Sequence, residues 1–333
     1  MSLTDEQSRL DWELLATWVA VVESGNISDA ALLLRISQAG VSQRIKHLEK
    51  IFSTTLLDRS TRPAQATAAG QRLFESAKDL LIRADQMMES VRSVSRTKRM
   101  IVRFGCVDSF AATVGPLLIK ALSSSSHQLR LWSGIAPTLD TLMGSRQLDL
   151  AVTTSVTNAP GVSRSQLFTE RYYAVLPRTF EINKVGSLLD LSRHLQFMRY
   201  SARSLIGQQV DEYLQRTGDA LERTCEFDAT DPLLSLVGSG AGFAITTPLC
   251  IWQSRHFLPS IRVIPLSAFT RHDRPYPDMT RTFHLVYRPG ELGTLSTEVR
   301  DLIRVAVRRQ FSGEITSSLG LKEAALWTPS DSE

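Results

Sequence analysis

Cysteine is scarce in this chain. There are three in 333 residues, Cys106, Cys225 and Cys250, far apart and without a CxxC pair. So sparse and odd a set fits a reducing compartment better than a disulfide framework. The six histidines, at 47, 127, 194, 256, 272 and 284, are equally scattered. No HExxH, GxSxG or GxxxxGKS/T signature occurs. Gly238-Ser239-Gly240-Ala241-Gly242 stops one residue short of a dinucleotide fingerprint, because Phe243 follows, and it comes after a helical pattern rather than a strand. An enzyme reading therefore has no motif to stand on, and neither a metal nor a cofactor is expected. No apolar run approaches the length that crosses a bilayer. The opening Met1-Ser2-Leu3-Thr4-Asp5-Glu6-Gln7 has no basic or apolar leader region, so a cytoplasmic protein is expected.

The composition that remains, 43% hydrophobic and 22% charged, is that of a folded globular chain. Its length suggests about two domains. A net charge of +4 says little until its placement is known.

Residues 12–60 read as short packed helices. Leu14, Leu15, Trp18, Val19 and Val22 recur at helical spacing up to Gly25. Asn26 and Ser28 are candidate caps for a helix through Ala30, Ala31, Leu33 and Leu34. Ser37 can cap a third helix with Val41, Ile45, Leu48 and Phe52 as its buried stripe. These are the pieces of a helix-turn-helix. Two short extended pieces, 56–59 and 64–66, flank a polar turn with Pro63 and suggest a wing. Thr67 can then cap a long helix in which Leu73, Ala77, Leu80, Ala84, Met87, Val91 and Val94 alternate steps of four and three. That is a coiled-coil seam, and it predicts dimerisation. Phe74, Leu81 and Met88 widen the stripe enough to keep an intradomain helix as the alternative. The basic knot Arg96-Thr97-Lys98-Arg99 follows as a candidate hinge.

From Ile101 onward strands alternate with helices, which predicts an α/β domain with parallel sheet. The strands fall at 101–107, 129–132, 148–152, 172–176, 195–200, 225–227, 241–246 and 282–287. The last helix runs from Ser296 to Arg309. The segment 313–333 reads as a loosely attached tail. The expected layout is a winged helix-turn-helix domain over 1–66, a linker helix over 67–97 and an α/β domain over 98–312.

The third helix carries Gln38, Ser42, Gln43 and Lys46 on the face away from its apolar stripe. Glutamine can pair bidentately with adenine, and serine and lysine can serve bases or phosphates. Between residues 35 and 62 stand Arg35, Arg44, Lys46, Lys50, Arg59 and Arg62, against Glu49 and Asp58. This concentration is the electrostatic footprint of phosphate contact. A solvated basic helix would look the same without the wing and long helix behind it.

The residues from Leu15 to Gly70 resemble the winged helix-turn-helix of LysR-type transcriptional regulators. The pieces that carry the likeness stand in order: 26–31 (NISDAA), 37–42 (SQAGVS), Leu48-Glu49, 56–59 (LLDR) and 66–70 (ATAAG). Trp18 stands where the family usually has Phe, a change of core volume. Ala39-Gly40 stands where Pro-Ala is common, which puts local base preference in doubt. The rest of the chain is similar to the same family, through Leu148-Asp149-Leu150-Ala151 and residues 237–243. The resemblance implies a C-terminal domain like a periplasmic binding protein. Its first subdomain would be about 100–168 with 276–310, and its second about 169–275. It also implies a homodimer, assembling further as a dimer of dimers, on palindromic promoter DNA. Ser37, Gln38, Ser42, Gln43 and Lys46 would face the major groove, with Arg62 and Pro63 of the wing at a phosphate or the minor groove. RNA polymerase becomes a candidate partner.

Ligands in such folds sit beyond the carboxyl ends of strands. Asp108, Ser109, Thr153, Thr154, Tyr200, Ser201 and Thr247 are the candidates there. Hydroxyls at helix starts favour a carboxylate, and the resemblance points to an organic or aromatic acid. Asp108 argues the other way, since an ionised carboxylate prefers a hydroxyl or amine. Each of these residues also has a structural use as a cap. Two rival readings remain: a redox regulator working through Cys225 and Cys250, and a ligand-binding module whose DNA domain has become vestigial.

Overall fold

Side-chain caps and left-handed stops set the register of the first three helices. The computed structural model describes residues 10–60, 63–95, 100–123, 127–155, 161–182, 185–222 and 224–329. Asp11 Oδ1 accepts the Leu14 amide at 2.8 Å and opens α1 (Trp12–Ser24), which Gly25 ends at φ 72°. Asn26 accepts the Asp29 amide at 2.7 Å and opens α2 (Ile27–Leu34). Ser37 Oγ accepts the Gly40 amide at 3.0 Å and opens α3 (Gln38–Phe52). Each cap satisfies an amide that the first helical turn leaves without a partner. Ser28 lies inside α2, so Asn26 is the cap of the two expected.

The chain divides into two compact units, 1–98 and 99–333. In the first, Trp18, Ala30, Val41, Ile45, Leu48 and Leu56 form a closed core. Phe52 does not join it. It is the last residue of α3 and stays exposed, because the left-handed Ser53 turns the chain away there. The wing is the antiparallel pair β1 (Leu57–Asp58) and β2 (Gln65–Ala66). Thr67 Oγ1 then accepts the Gly70 amide at 3.0 Å at the start of α4 (Ala68–Ser95). Trp18 does more than fill volume, since its indole N–H donates to the Gly70 carbonyl at 3.0 Å. A Cβ on Gly70 would lie 2.2 Å from Leu56 O and 2.8 Å from the Trp18 ring. Only glycine lets α4 start this close to the core.

The second unit holds two sheets. In the first, β3 (Met100–Cys106) runs parallel to β4 (His127–Ser133) and β5 (Leu150–Thr153). The helices α5 (Asp108–Thr113), α6 (Gly115–Ser123) and α7 (Ala136–Gly144) connect them. Next, β6 (Ser163–Arg171) leaves this sheet, and β7 (Tyr173–Pro177) begins the other. Beyond α8 (Leu188–Leu191), parallel strands β8 (Gln196–Tyr200), β9 (Cys225–Phe227) and β10 (Gly242–Thr246) alternate with α9 (Leu205–Thr217) and α10 (Thr230–Gly238). The helix α11 (Pro248–Gln253), the strand β11 (Ile261–Pro265) and the small hairpin β12 (Thr270–Arg271) with β13 (Arg274–Pro275) complete this half. The strand β14 (Thr280–Tyr287) then returns to the first sheet, antiparallel to both β5 and β6. The chain thus passes between the two sheets at 172 and again before 280.

The expected loose tail is corrected. After α12 (Leu295–Ala306) come α13 (Ser312–Ser318) and β15 (Leu326–Trp327), and β15 pairs with Glu170 and Thr169 of β6 as the outermost strand of the sheet. Ile315, Leu319, Ala325 and Leu326 are buried. Polar residues surround these few anchors, which is why the segment looks featureless in one dimension.

Replacing Gly70 with Ala should destabilise the N-terminal unit by about 1–3 kcal/mol, the usual cost of overpacking. Urea unfolding followed by circular dichroism checks this. Gly144→Ala, where nothing lies within 4 Å of the added carbon, is the control and should show no comparable loss.

Candidate functional site

In the first unit the buried stripe of α3 turns a polar row outward. Gln38, Gln43 and Lys46 are exposed and Ser42 is half-buried. Residues 38, 42 and 46 are spaced by one helical turn, so they lie in one row. Ser37 has a structural duty as the cap that starts this helix. Pro63 is exposed, while Arg62 lies outside the described residues. Not all the local basic charge is free. Arg44 pairs with Glu13 of α1 and donates to Thr17 Oγ1 at 3.1 Å, and Arg59 stands 3.8 Å from Glu49. Glu49 also accepts the amides of Leu56 and Leu57 at 3.0 and 3.3 Å, tying α3 to the start of the wing. Lys46, Lys50 and Arg35 remain exposed.

The seam on α4 is used in two ways. Ala77 is fully buried, and Leu73 and Phe74 are half-buried against the core around Trp18. Ala77 therefore has no surface left for a second chain. Further along, Leu80 is 43% and Met87 60% exposed, with Ala84 half-buried between them. The side chain of Val91 lies outside the described residues.

In the second unit a small cavity of about 90 Å³ opens at the carboxyl ends of the parallel strands. Of the residues named from the sequence, Asp108, Ser109, Thr154 and Tyr200 line it, together with Ser204, Cys250, Gln253 and Arg281. Three other expected residues are drawn off into the framework. Thr153 Oγ1 accepts the Ser155 amide at 3.1 Å, Ser201 Oγ accepts the Arg203 amide at 3.2 Å, and Thr247 is fully buried. Tyr200 reaches the cavity, but its hydroxyl is already bonded to Thr230 Oγ1 at 3.0 Å and Thr246 Oγ1 at 2.8 Å. Burial, followed by the neighbouring Cys250, holds its pKa well above the ordinary value, so it stays neutral.

Arg281 forms the floor, and sequence reasoning missed it. Its Nε donates to Glu170 Oε1 at 2.7 Å, and its Nη2 to Thr247 Oγ1 at 2.8 Å. Ser109 Oγ and Cys250 Sγ lie 3.5 and 3.4 Å from the same Nη2. The other oxygen of Glu170 accepts the Leu249 amide at 2.9 Å. Both charged residues are buried, at 6% and 0% exposure. Burial acts against the charged guanidinium, yet the Glu170 carboxylate outweighs it and raises the Arg281 pKa. The missed signal was parity. Arg281, Phe283 and Leu285 alternate along β14, so the arginine occupies a core-facing position.

The three cysteines are free. Cys225 sits half-buried in the edge strand β9, and Cys250 is buried in α11. Burial, with the Asp108 carboxylate adding to it, pushes the Cys106 thiol up to about 12. No group of three or more potential ligands that could hold a metal occurs among the described residues. Nor is any described helix long and apolar enough to cross a membrane.

Comparison with known proteins finds two family models that match along the chain. The family described as "Bacterial regulatory helix-turn-helix protein, lysR family" matches residues 12–71, and "LysR substrate binding domain" matches 95–310. Among curated relatives, the chain is 25% identical over 293 residues to the HTH-type transcriptional regulator TdfR of Cupriavidus pinatubonensis, covering 85% of this chain and 99% of that one. It is 26% identical over 236 residues to a probable hydrogen peroxide-inducible genes activator of Streptomyces viridosporus, covering 69% and 75%. Among solved structures, full-length OxyR of Pseudomonas aeruginosa aligns with a TM-score of 0.61 at 20% identity, over 89% of this chain and 95% of that one. CbnR in complex with its target DNA aligns at 0.60 and 19% identity, over 89% and 99%. At these identities the structures speak for the fold alone.

Removing Glu170 should strand a buried cation. Glu170→Leu is expected to cost about 3–5 kcal/mol, and Glu170→Leu with Arg281→Met should recover much of it, because a well-packed apolar pair replaces a buried ion pair at little net loss. Urea unfolding of the two variants decides this, and a double variant as unstable as the single one would contradict it.

Proposed function

The chain belongs to the lysR family of bacterial regulatory helix-turn-helix proteins, and from that premise we propose that it is a cytoplasmic regulator that binds palindromic promoter DNA as a homo-oligomer and answers to a small organic acid in the α/β cleft. The observation that carries the DNA reading is the row on α3. Gln38, Ser42, Gln43 and Lys46 stand outward, while Val41, Ile45 and Leu48 lock the opposite face into the core. A rigid helix offering amide, hydroxyl and ammonium groups in one row suits base edges and phosphates in a major groove. The wing, with exposed Pro63, flanks it, and Arg62 would supply a further phosphate or minor-groove contact. Self-association is supported by Leu80, Met87 and Met88, which leave an apolar stretch of α4 uncovered in a single chain. A dimer of dimers extends the same reading. RNA polymerase is a candidate partner once the protein sits at a promoter.

For the cleft, Arg281 is the group that receives an acid. Among the described residues its Nη1 makes no hydrogen bond, and Ser109 and Thr154 stand in the same lining. The cavity, about 90 Å³, is smaller than the ~150 Å³ void that accepts benzene. A small acid fits as the cleft stands, whereas an aromatic acid requires the halves to part. A ligand touching both halves favours one arrangement of the regulator over another by its differential affinity. The thiol-switch reading has less support, because the peroxide-activator relative is only 26% identical and Cys250 is packed against Arg281.

Selection of binding sites from random DNA by the full-length protein, at two salt concentrations, tests the proposal. An enriched palindrome with a steep salt slope is expected, and no enrichment would overturn it. Lys46→Ala should weaken binding to all sequences alike and reduce the salt slope by about 1. Gln43→Ala should cost about 1–3 kcal/mol and relax preference at one base pair. An unchanged sequence logo would remove Gln43 from the readout.

A further inference from the structure

The cleft carries more acceptors than a simple acid can satisfy. Four groups decide its chemistry. Arg281 is the one basic side chain in the described lining, and Glu170 neutralises it from behind at 2.7 Å. Asp228 also lines the cavity, but it is paired with Arg203 at 2.6 Å. Asp108 has no ion pair or hydrogen bond among the described residues, so the lining holds one uncompensated negative charge. The fourth group is Gln253. Its side chain lines the same cavity, and its Oε1 is buried without a donor. A buried acceptor without a donor is destabilising, so it marks a place where a donor belongs.

The positions of these groups are linked. Asp108 is the chain neighbour of Ser109, whose hydroxyl lies 3.5 Å from Arg281 Nη2. Gln253 is three residues after Cys250 on α11, and the Cys250 sulfur lies 3.4 Å from the same nitrogen. One helical turn apart, Cys250 and Gln253 share a face. A guanidinium donor end and an acceptor-rich end therefore lie within a residue or a helical turn of each other along the chain. A bare carboxylate would satisfy Arg281 and be repelled by Asp108. A bare amine would satisfy Asp108 and leave the free guanidinium N–H without an acceptor.

We propose that the ligand of this cleft is a small α-amino acid, its carboxylate on the free N–H of Arg281 and its ammonium between the Asp108 carboxylate and Gln253 Oε1. This rests on the effector-cleft reading above and narrows its acid to one that carries a primary amine. The ammonium has three N–H donors, enough for both acceptors. The cavity of about 90 Å³ restricts the side chain to the smallest kinds, as in glycine, alanine or serine. The cost of burying Gln253 Oε1 without a partner is removed when the ligand ammonium donates to it, which adds to affinity.

Isothermal titration of the full-length protein with glycine, alanine and serine, set beside propionate, lactate and ethylamine, tests this. At least one of the three amino acids should bind about ten-fold or more tightly than each single-function analogue, the increment of one charge-assisted hydrogen bond. Asp108→Asn should collapse the ratio between that amino acid and propionate, with propionate affinity unchanged or improved. Gln253→Leu should weaken the amino acid alone. Circular dichroism confirms that both variants fold. Propionate or lactate binding as tightly as the amino acids, or a ratio that survives Asp108→Asn, overturns the amino-acid assignment while leaving an acid cleft. Binding of none of the six compounds overturns the assignment and the small-acid cleft together, and the DNA selection remains an independent measure of the regulator reading.

Discussion

The α/β unit depends on one buried ion pair. Glu170 lies near the end of β6, the strand by which the chain leaves the first sheet, and Arg281 lies at the start of β14, the strand by which it returns. Their 2.7 Å contact joins the two crossing strands where the sheets meet. The second Glu170 oxygen takes the Leu249 amide, so the start of α11 is fastened to the same point. Arg281 in turn holds Thr247 beside it. A buried pair of this kind is weak evidence for stability as such, since desolvation offsets most of the attraction. Its consequence is geometric: two strands and a helix have one arrangement in which neither charge is left alone. The cleft floor is the face of that arrangement.

The DNA-binding unit rests on a contact of another kind, a close approach that only glycine allows. The Trp18 indole reaches the Gly70 carbonyl, and α4 begins against Leu56 with no room for a Cβ. The first turns of α4 consequently belong to the head. Leu73 and Phe74 pack against its core and Ala77 is fully buried, and only from Leu80 does the apolar row become surface that another chain could cover. The seven-residue spacing in the sequence runs evenly through both parts, because an a/d row looks the same whether its partner is α1 or a second α4. Periodicity marks an apolar face and is silent about what lies on it.

The same limit explains which features the sequence made legible. Caps at Asn26, Ser37 and Thr67 were readable because short polar side chains at helix starts act on their own neighbours, three residues away. The order of strands and helices was readable for a similar reason, since each periodic run is local. The strand β6 was missed because its first half, Ser163-Arg164-Ser165-Gln166, lacks the apolar alternation that marks a half-buried strand. The strand β15 was missed because two residues carry no period at all. Within the cleft, hydroxyls at strand ends were legible as a class, but which of them face the cavity is decided by partners far along the chain. Thr247 is taken by Arg281, 34 residues away, and Tyr200 by Thr246, 46 residues away.

The chain beyond residue 310, where the match to the substrate-binding family ends, bears on the crossing itself. There β15 pairs with Thr169 and Glu170, adding a strand at the residue whose carboxylate anchors the floor. One step on, Arg171 is held by Asp278 at 3.3 Å, by Glu323 at 3.0 Å and by the Trp327 ring at 4.8 Å. Asp278 immediately precedes the return crossing, so both crossings are bound to the C-terminal segment through one arginine. These pairs are half-exposed and individually weak. Their effect comes from position, because a hinge moves through a few backbone torsions and a strand paired across its end restricts them. A ligand closing on the cleft therefore works against a stiffened crossing. The surplus it needs must come from groups that meet only when both halves contact it: Ser109 and Thr154 on one side, Cys250 and Gln253 on the other, with Arg281 between. Because Glu170 already cancels the charge of Arg281, that surplus is a matter of matched donors and acceptors more than of net charge. Selectivity in such a site follows from leaving the wrong ligand with unpaired polar groups, which costs more than any attraction between neutralised charges can return.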